Sequence, residues 1–171
     1  LFVNDPLHSY SRSLFSFGFD EASGKHLNGA YKHAVTANLG TWFQVSYHAF
    51  GENLLEKYPA AKKAMTTEVW DSLPNGYAGN YVTNGNTGWS YQKTIVSLLP
   101  DSEKGPVLNH IDRIEKSTAL PYGIVYGASP NAVTYCVYGN YASIPRTFPA
   151  NTSYLNPAGI YQVFRGSWNN D

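Results

Sequence analysis

The clearest hydrophobic periodicity in the chain begins after Gly51. Leu54, Leu55, Tyr58, Ala61 and Met65 recur at helical spacings, leaving Lys57, Lys62 and Lys63 for the wet side. Pro59 falls inside that stripe. Lacking an amide hydrogen, it either opens a second helix at its own first turn or kinks one long helix. The second segment is expected to run from Pro59 to about Leu73, where Pro74-Asn75-Gly76 stops it. A further short helix is expected from about Pro106 to Ser117, outlined by Val107, Ile111 and Ile114 among polar neighbours.

Other segments carry a β-like pattern. Leu14 to Phe19 forms a short apolar run, followed by a turn around Asp20 to Gly24. Thr41-Trp42-Phe43-Gln44-Val45-Ser46-Tyr47 is rich in residues that favour strands, although a buried helix fits the same run. Between residues 74 and 100, Asn75-Gly76, Asn84-Gly85 and Thr87-Gly88 interleave with Tyr77, Tyr81, Trp89 and Tyr91. Asn-Gly pairs suit the positive backbone angles of tight hairpins, so a small sheet is expected there. The tail from Tyr122 to Phe164 holds short β-rich runs such as Ala132 to Tyr138, separated by Gly and Pro. The expected architecture is α+β in a single compact domain spanning residues 1–171, with helices and a small β-hairpin.

Composition narrows the function. The 171 residues suffice to bury one core without metal or disulfide staples. Charged residues make up 14% of the chain, against roughly 25% in an average domain. Aromatics reach 15%, through 14 Tyr, 8 Phe and 4 Trp. Twelve basic residues balance twelve acidic ones, so the field that draws nucleic acid is missing. No run approaches the roughly 18 apolar residues of a membrane span. The start at Leu1, without a basic leader, fits a secreted mature chain, as does the sequon Asn151-Thr152-Ser153. A trimmed chain fits the same start, and the lack of disulfides argues the other way. The lone Cys136, in a strand-like run, reads as a buried structural thiol.

Metal chemistry is disfavoured, because His8, His26, His33, His48 and His110 are dispersed without the close helical pair of a zinc site. No cofactor is implied, and no Gly-x-Ser-x-Gly elbow or phosphate loop is present. Carboxylates are more informative. Glycoside hydrolysis needs one protonated acid at the leaving oxygen and one ionised partner. Glu68 closes a helical stretch beside Val69 and Trp70, and a carboxyl group against an apolar wall suits a general acid. An ordinary solvated glutamate in a last helical turn fits the same pattern. Asp71 lies close enough in sequence to cap a turn instead, and Glu52 and Glu56 read as helix-surface charges. Trp42, Trp70, Tyr77, Tyr81, Trp89 and Tyr91 are candidates to line a cleft, offering ring faces to sugar C–H surfaces. Each also fits a plain core role, with Trp89 the best exception because Gly88 and Ser90 suggest a loop.

A glutamate at a helix end followed by a turn-rich hairpin resembles the layout of lysozyme-like glycosidases. Within these, residues 50–95 resemble the endo-β-1,4-mannanases of glycoside hydrolase family 134. The resemblance implies secretion, a lysozyme-like fold and an inverting mechanism, with Glu68 as acid and a hairpin aspartate as base. Here the chain departs from the pattern: no carboxylate stands between Asp71 and Asp101, and Asn80 occupies the expected place of the base. An amide cannot deprotonate water at neutral pH. Either Asp71 or Asp101 reaches the site, or the chain is non-catalytic, or Asn80 is an inactivating substitution. The expectation is a secreted, monomeric hydrolase of a neutral β-linked glycan, mannan being favoured. A carbohydrate-binding domain or lectin, and a secreted toxin or effector, are the alternatives.

Overall fold

The computed structural model describes residues 20–24, 32–71, 89–117, 139–156 and 162–168. It combines helices with a small two-stranded antiparallel sheet, a mixed α+β architecture. Helix α1 spans Lys32–Phe50, α2 Leu54–Lys57, α3 Pro59–Asp71, α4 Trp89–Ile95 and α5 Asp101–Ser117, with a 3-10 turn at Val96–Leu98. Strands β1 (Ser153–Leu155) and β2 (Gln162–Phe164) follow.

The strand-favouring run Thr41 to Tyr47 lies inside α1, so the helical alternative holds. Leu39, Gly40, Phe43, Gln44 and Ser46 are buried, whereas Thr41, Val45 and Tyr47 are exposed. That is helical periodicity, and burying Phe43 completely outweighs a β-propensity scale that spans only about 1 kcal/mol. Gly51 ends the helix at φ +69°, its N–H donating to the Tyr47 carbonyl at 2.8 Å. Asn53 then caps α2, its side chain accepting from the Leu55 N–H at 3.1 Å.

Pro59 is the first residue of α3, where its missing N–H costs nothing. The helix runs to Asp71, two residues short of the expected end at Leu73. By contrast, the fifth helix begins at Asp101 rather than near Pro106. Asp101 and Glu103 in its first turn favour an N-terminus there, and Pro106 is carried within the helix. Part of the expected hairpin region is also helical, since residues 89–98 form α4 and the 3-10 turn. The observed two-stranded sheet lies within the β-rich tail expected from Tyr122 to Phe164, with Ser153 opposite Phe164, Tyr154 opposite Val163 and Leu155 opposite Gln162. Residues 72–88 and the run Ala132 to Tyr138 lie outside the described residues, as does Cys136.

Two apolar clusters organise the described residues. The larger joins α1 to α5, with Phe43, Leu54, Ile95, Val96, Leu108 and Ile111 all fully buried. Helices α1 and α4 approach closely because Gly40 faces Thr94; a Cβ at Gly40 would stand 2.9 Å from the Thr94 Cβ. Gln44 secures the same contact, donating to the Thr94 carbonyl and, at 2.7 Å, to the Ser97 hydroxyl. The smaller cluster holds Val69, Trp70 and Trp168, with Tyr154 and Val163 packed against it.

The Asp20–Gly24 turn docks on the flank of α3. Thr67 donates its hydroxyl to the Ser23 carbonyl, and Lys63 Nζ reaches the Glu21 carbonyl at 3.0 Å. Gly24, at φ +71°, lies so close that a Cβ would collide with the Ala64 amide nitrogen. The half-buried Asp20 accepts through its carboxylate from the Ser23 hydroxyl and, at 2.7 Å, from the Ser23 N–H. These hydrogen bonds hold its carboxyl below the ordinary range. Because the folded-state value is depressed, the stabilisation is present above about pH 4 and is lost as pH falls through the folded value. In acid-unfolding titrations, the stability gap between the native chain and Asp20→Asn is therefore expected to close below about pH 4.

Candidate functional site

Glu68 lies on α3 between residues of the larger cluster and residues of the smaller one. On α3 it follows Ala61, Ala64 and Met65 at helical spacing and precedes the buried Val69 and Trp70. Its side chain is half-buried. Among residues with described side chains it is the only carboxylate on α3; Asp71 is the last residue of the same helix.

The C-terminal end of α3 is held by aromatic rings. Trp70 lies flat on Tyr154, with centroids 5.1 Å apart and planes 13° from parallel, and meets Trp168 edge-on at 4.8 Å. The strand register explains this contact, because Tyr154 and Val163 pair across the sheet and share the face turned to the cluster. Trp168 stacks on Phe148 at 5.9 Å and donates its indole N–H to the Asn151 carbonyl at 2.8 Å. Arg165 ties sheet to helix: Nη2 donates to the Trp70 carbonyl at 3.1 Å while the guanidinium lies 4.4 Å from the Trp168 ring centre. The Trp70 carbonyl is among the last four of α3, which lack intrahelical donors, so a cation is favoured there by about 0.3–1 kcal/mol.

Burial, and secondarily the Arg113 charge, pull the Arg165 guanidinium below its usual range. Arg113 itself, from α5, lies 5.7 Å from the Phe148 ring centre. The adjacent Asp112 carboxylate pairs with Arg146 at 2.9 Å.

Trp70 is 6% exposed, its ring packed against Tyr154 and Trp168. Trp42 is half-buried against the larger cluster, tilted on Phe43 at 5.7 Å, and belongs to a different cluster from Trp70. Trp89 is the first residue of α4 and Tyr91 its third, so neither sits in a loop. Tyr77, Asn80 and Tyr81 lie outside the described residues. Phe148 is the ring with usable surface in the α3-end cluster, at 37% exposure. Phe148, Tyr154 and Arg165 were not singled out by sequence; the Arg165-x-x-Trp168 spacing was the only hint, and it is weak.

A groove of about 320 Å³ lies between α3 and α5, lined by Lys62, Met65, Thr66, Leu99, Pro106 and Val107 among others. Among the described side chains, it includes neither Glu68 nor Trp42 nor Trp70. Lys62 is bridged across it to Glu103 at 2.7 Å. Among the described residues no group of three or more His, Cys, Asp or Glu side chains is placed to hold a metal ion. No described helix is long and apolar enough to cross a membrane. No family model, curated protein or solved structure matches the chain.

Proposed function

We propose that the protein is a secreted glycoside hydrolase acting on a neutral β-linked backbone such as mannan, with Glu68 as general acid. The observation that carries this reading is the place of Glu68, half-buried on α3 between residues of the two apolar clusters and next to the aromatic end of that helix. A half-buried carboxyl group next to apolar and aromatic side chains fits proton donation to a glycosidic oxygen. In the inverting form of the reaction the Glu68 proton passes to the leaving oxygen and the C1–O bond breaks. Water adds to C1 from the opposite face and gives its proton to a base. Asp71, on the same helix end, and the Asn80 position are the candidates for the water-activating side. Secretion is supported by the sequon, whose residues 151–153 are exposed.

A second reading, a glycan-binding domain without turnover, is favoured by the lack of any carboxylate between Asp71 and Asp101. Reducing-sugar release from β-mannan by the native chain and by Asn80→Asp separates the two. If Asn80 stands where the base belongs, Asn80→Asp raises hydrolysis by about 10²-fold or more, the range of a positioned base. Saturable mannan binding with no release from either protein favours the binding domain.

A further inference from the structure

Asn151-Thr152-Ser153 is the single Asn-x-Ser/Thr triplet in the chain, and its middle residue is not proline. It leads into the two-stranded sheet, Ser153 being the first residue of β1. All three residues are exposed. Their backbone is nonetheless tied to the fold. The Asn151 carbonyl accepts from the Trp168 indole N–H at 2.8 Å, and the Thr152 carbonyl accepts from the Arg165 N–H at 2.8 Å. The main chain is thus held in place while the Asn151 residue stays at the surface.

The strand register puts an apolar surface beside it. Ser153, Leu155, Gln162 and Phe164 share the outer face of the sheet, opposite the face that Tyr154 and Val163 turn to the Trp70 cluster. On that outer face Leu155 is 62% exposed and Phe164 78%. Phe164 stands directly across from Ser153, a pairing that sets Cα atoms about 5 Å apart. Asn151 lies two residues before Ser153, at most about 7 Å along the chain. We propose that Asn151 is an N-glycosylation site whose glycan covers the Phe164 side of the sheet.

This inference rests on the secretion in the reading above and is independent of hydrolysis. The donor is a lipid-linked oligosaccharide diphosphate, used by a transferase of the secretory pathway. Asn151 Nδ2 bonds to C1 of the first sugar, the C1–O bond to the diphosphate breaks, and the lipid diphosphate leaves. The amide proton passes to the transferase. The Ser153 hydroxyl is the second group of the acceptor triplet. Transfer precedes folding, so the folded chain must leave room for the glycan, and an exposed Asn151 does so. Sugar C–H faces pack on aromatic rings, which gives the first sugar units an apolar partner in Phe164.

The test is expression of the full chain behind a cleavable leader in a eukaryotic secretory host, read by intact mass before and after peptide N-glycosidase. The secreted chain is expected to carry one glycan, and digestion in heavy-oxygen water should label position 151. Asn151→Gln and Ser153→Ala should lose the glycan, whereas Ser153→Thr should keep it. Cover of the sheet is read with a dye that fluoresces on apolar surface. Digestion of the native chain should raise that fluorescence, and Phe164→Ser should remove the rise.

A secreted native chain without a glycan overturns the proposal, as does a glycan that persists in Asn151→Gln. Removal of the glycan with no change in dye fluorescence, or with an equal rise in Phe164→Ser, overturns the covering role. A glycosylated chain that releases nothing from β-mannan defeats the hydrolase reading alone. Hydrolysis by a secreted chain that carries no glycan defeats this one alone.

Discussion

Replacing Glu68 with Gln is expected to lower glycan hydrolysis by about 10²–10⁴-fold, the usual contribution of a positioned general acid. The amide keeps the size and hydrogen-bonding reach of the carboxyl group but has no acidic proton to give. The side chain is half-buried, and an isosteric change at such a place usually moves stability by no more than about 0.5 kcal/mol. Oligosaccharide affinity should therefore persist while turnover disappears. Turnover rates and binding titrations on the same preparation, with the melting temperature as a control, check the three expectations together. Full activity in Glu68→Gln removes this residue from the reaction.

Phe43→Ala is expected to produce the largest loss of stability, about 3–5 kcal/mol. Phe43 is completely buried on the face of α1 that joins the larger cluster. Its removal forfeits the transfer of the ring from water and leaves a cavity that the helical surroundings refill only partly. The α1–α4 contact limits that relaxation, because Gly40 against Thr94 and the Gln44 hydrogen bonds already hold the helices at close range. Denaturant titration, compared with an exposed control such as Val45→Ala on the same helix, gives the difference directly.

How much of this was legible in the sequence follows from the range of the forces involved. Pro59 opens α3 and Gly51 closes α1 through strictly local backbone chemistry, so the helices from Leu54 to Asp71 were readable. Thr41 to Tyr47 was ambiguous because Trp, Phe, Val and Tyr favour strands locally, whereas the deciding contacts with α4 come from some fifty residues away. The start of α5 was placed late because its apolar stripe begins only at Val107, although Pro106 sits inside a helix already begun by Asp101 and Glu103.

For the candidate site, Glu68 is singled out by its neighbours Val69 and Trp70, which are adjacent in sequence. Arg165, by contrast, meets the Trp70 carbonyl across a separation of 95 residues. Trp70 illustrates the same limit. Aromatic type alone does not distinguish a ring that stacks on Tyr154 in the core from one that meets solvent. The Phe148–Trp168 stack likewise forms only when the sheet returns to the end of α3.

The central claim is that a glycan is cut at the end of α3, and the most direct measurement is ¹H NMR of the first-formed anomer during β-mannan digestion. The native chain and Glu68→Gln should be run side by side. The expected result is release of product with inverted configuration by the native chain and none by the variant. Equal release by both proteins, or no release from β-mannan by the native chain and by Asn80→Asp alike, would contradict it.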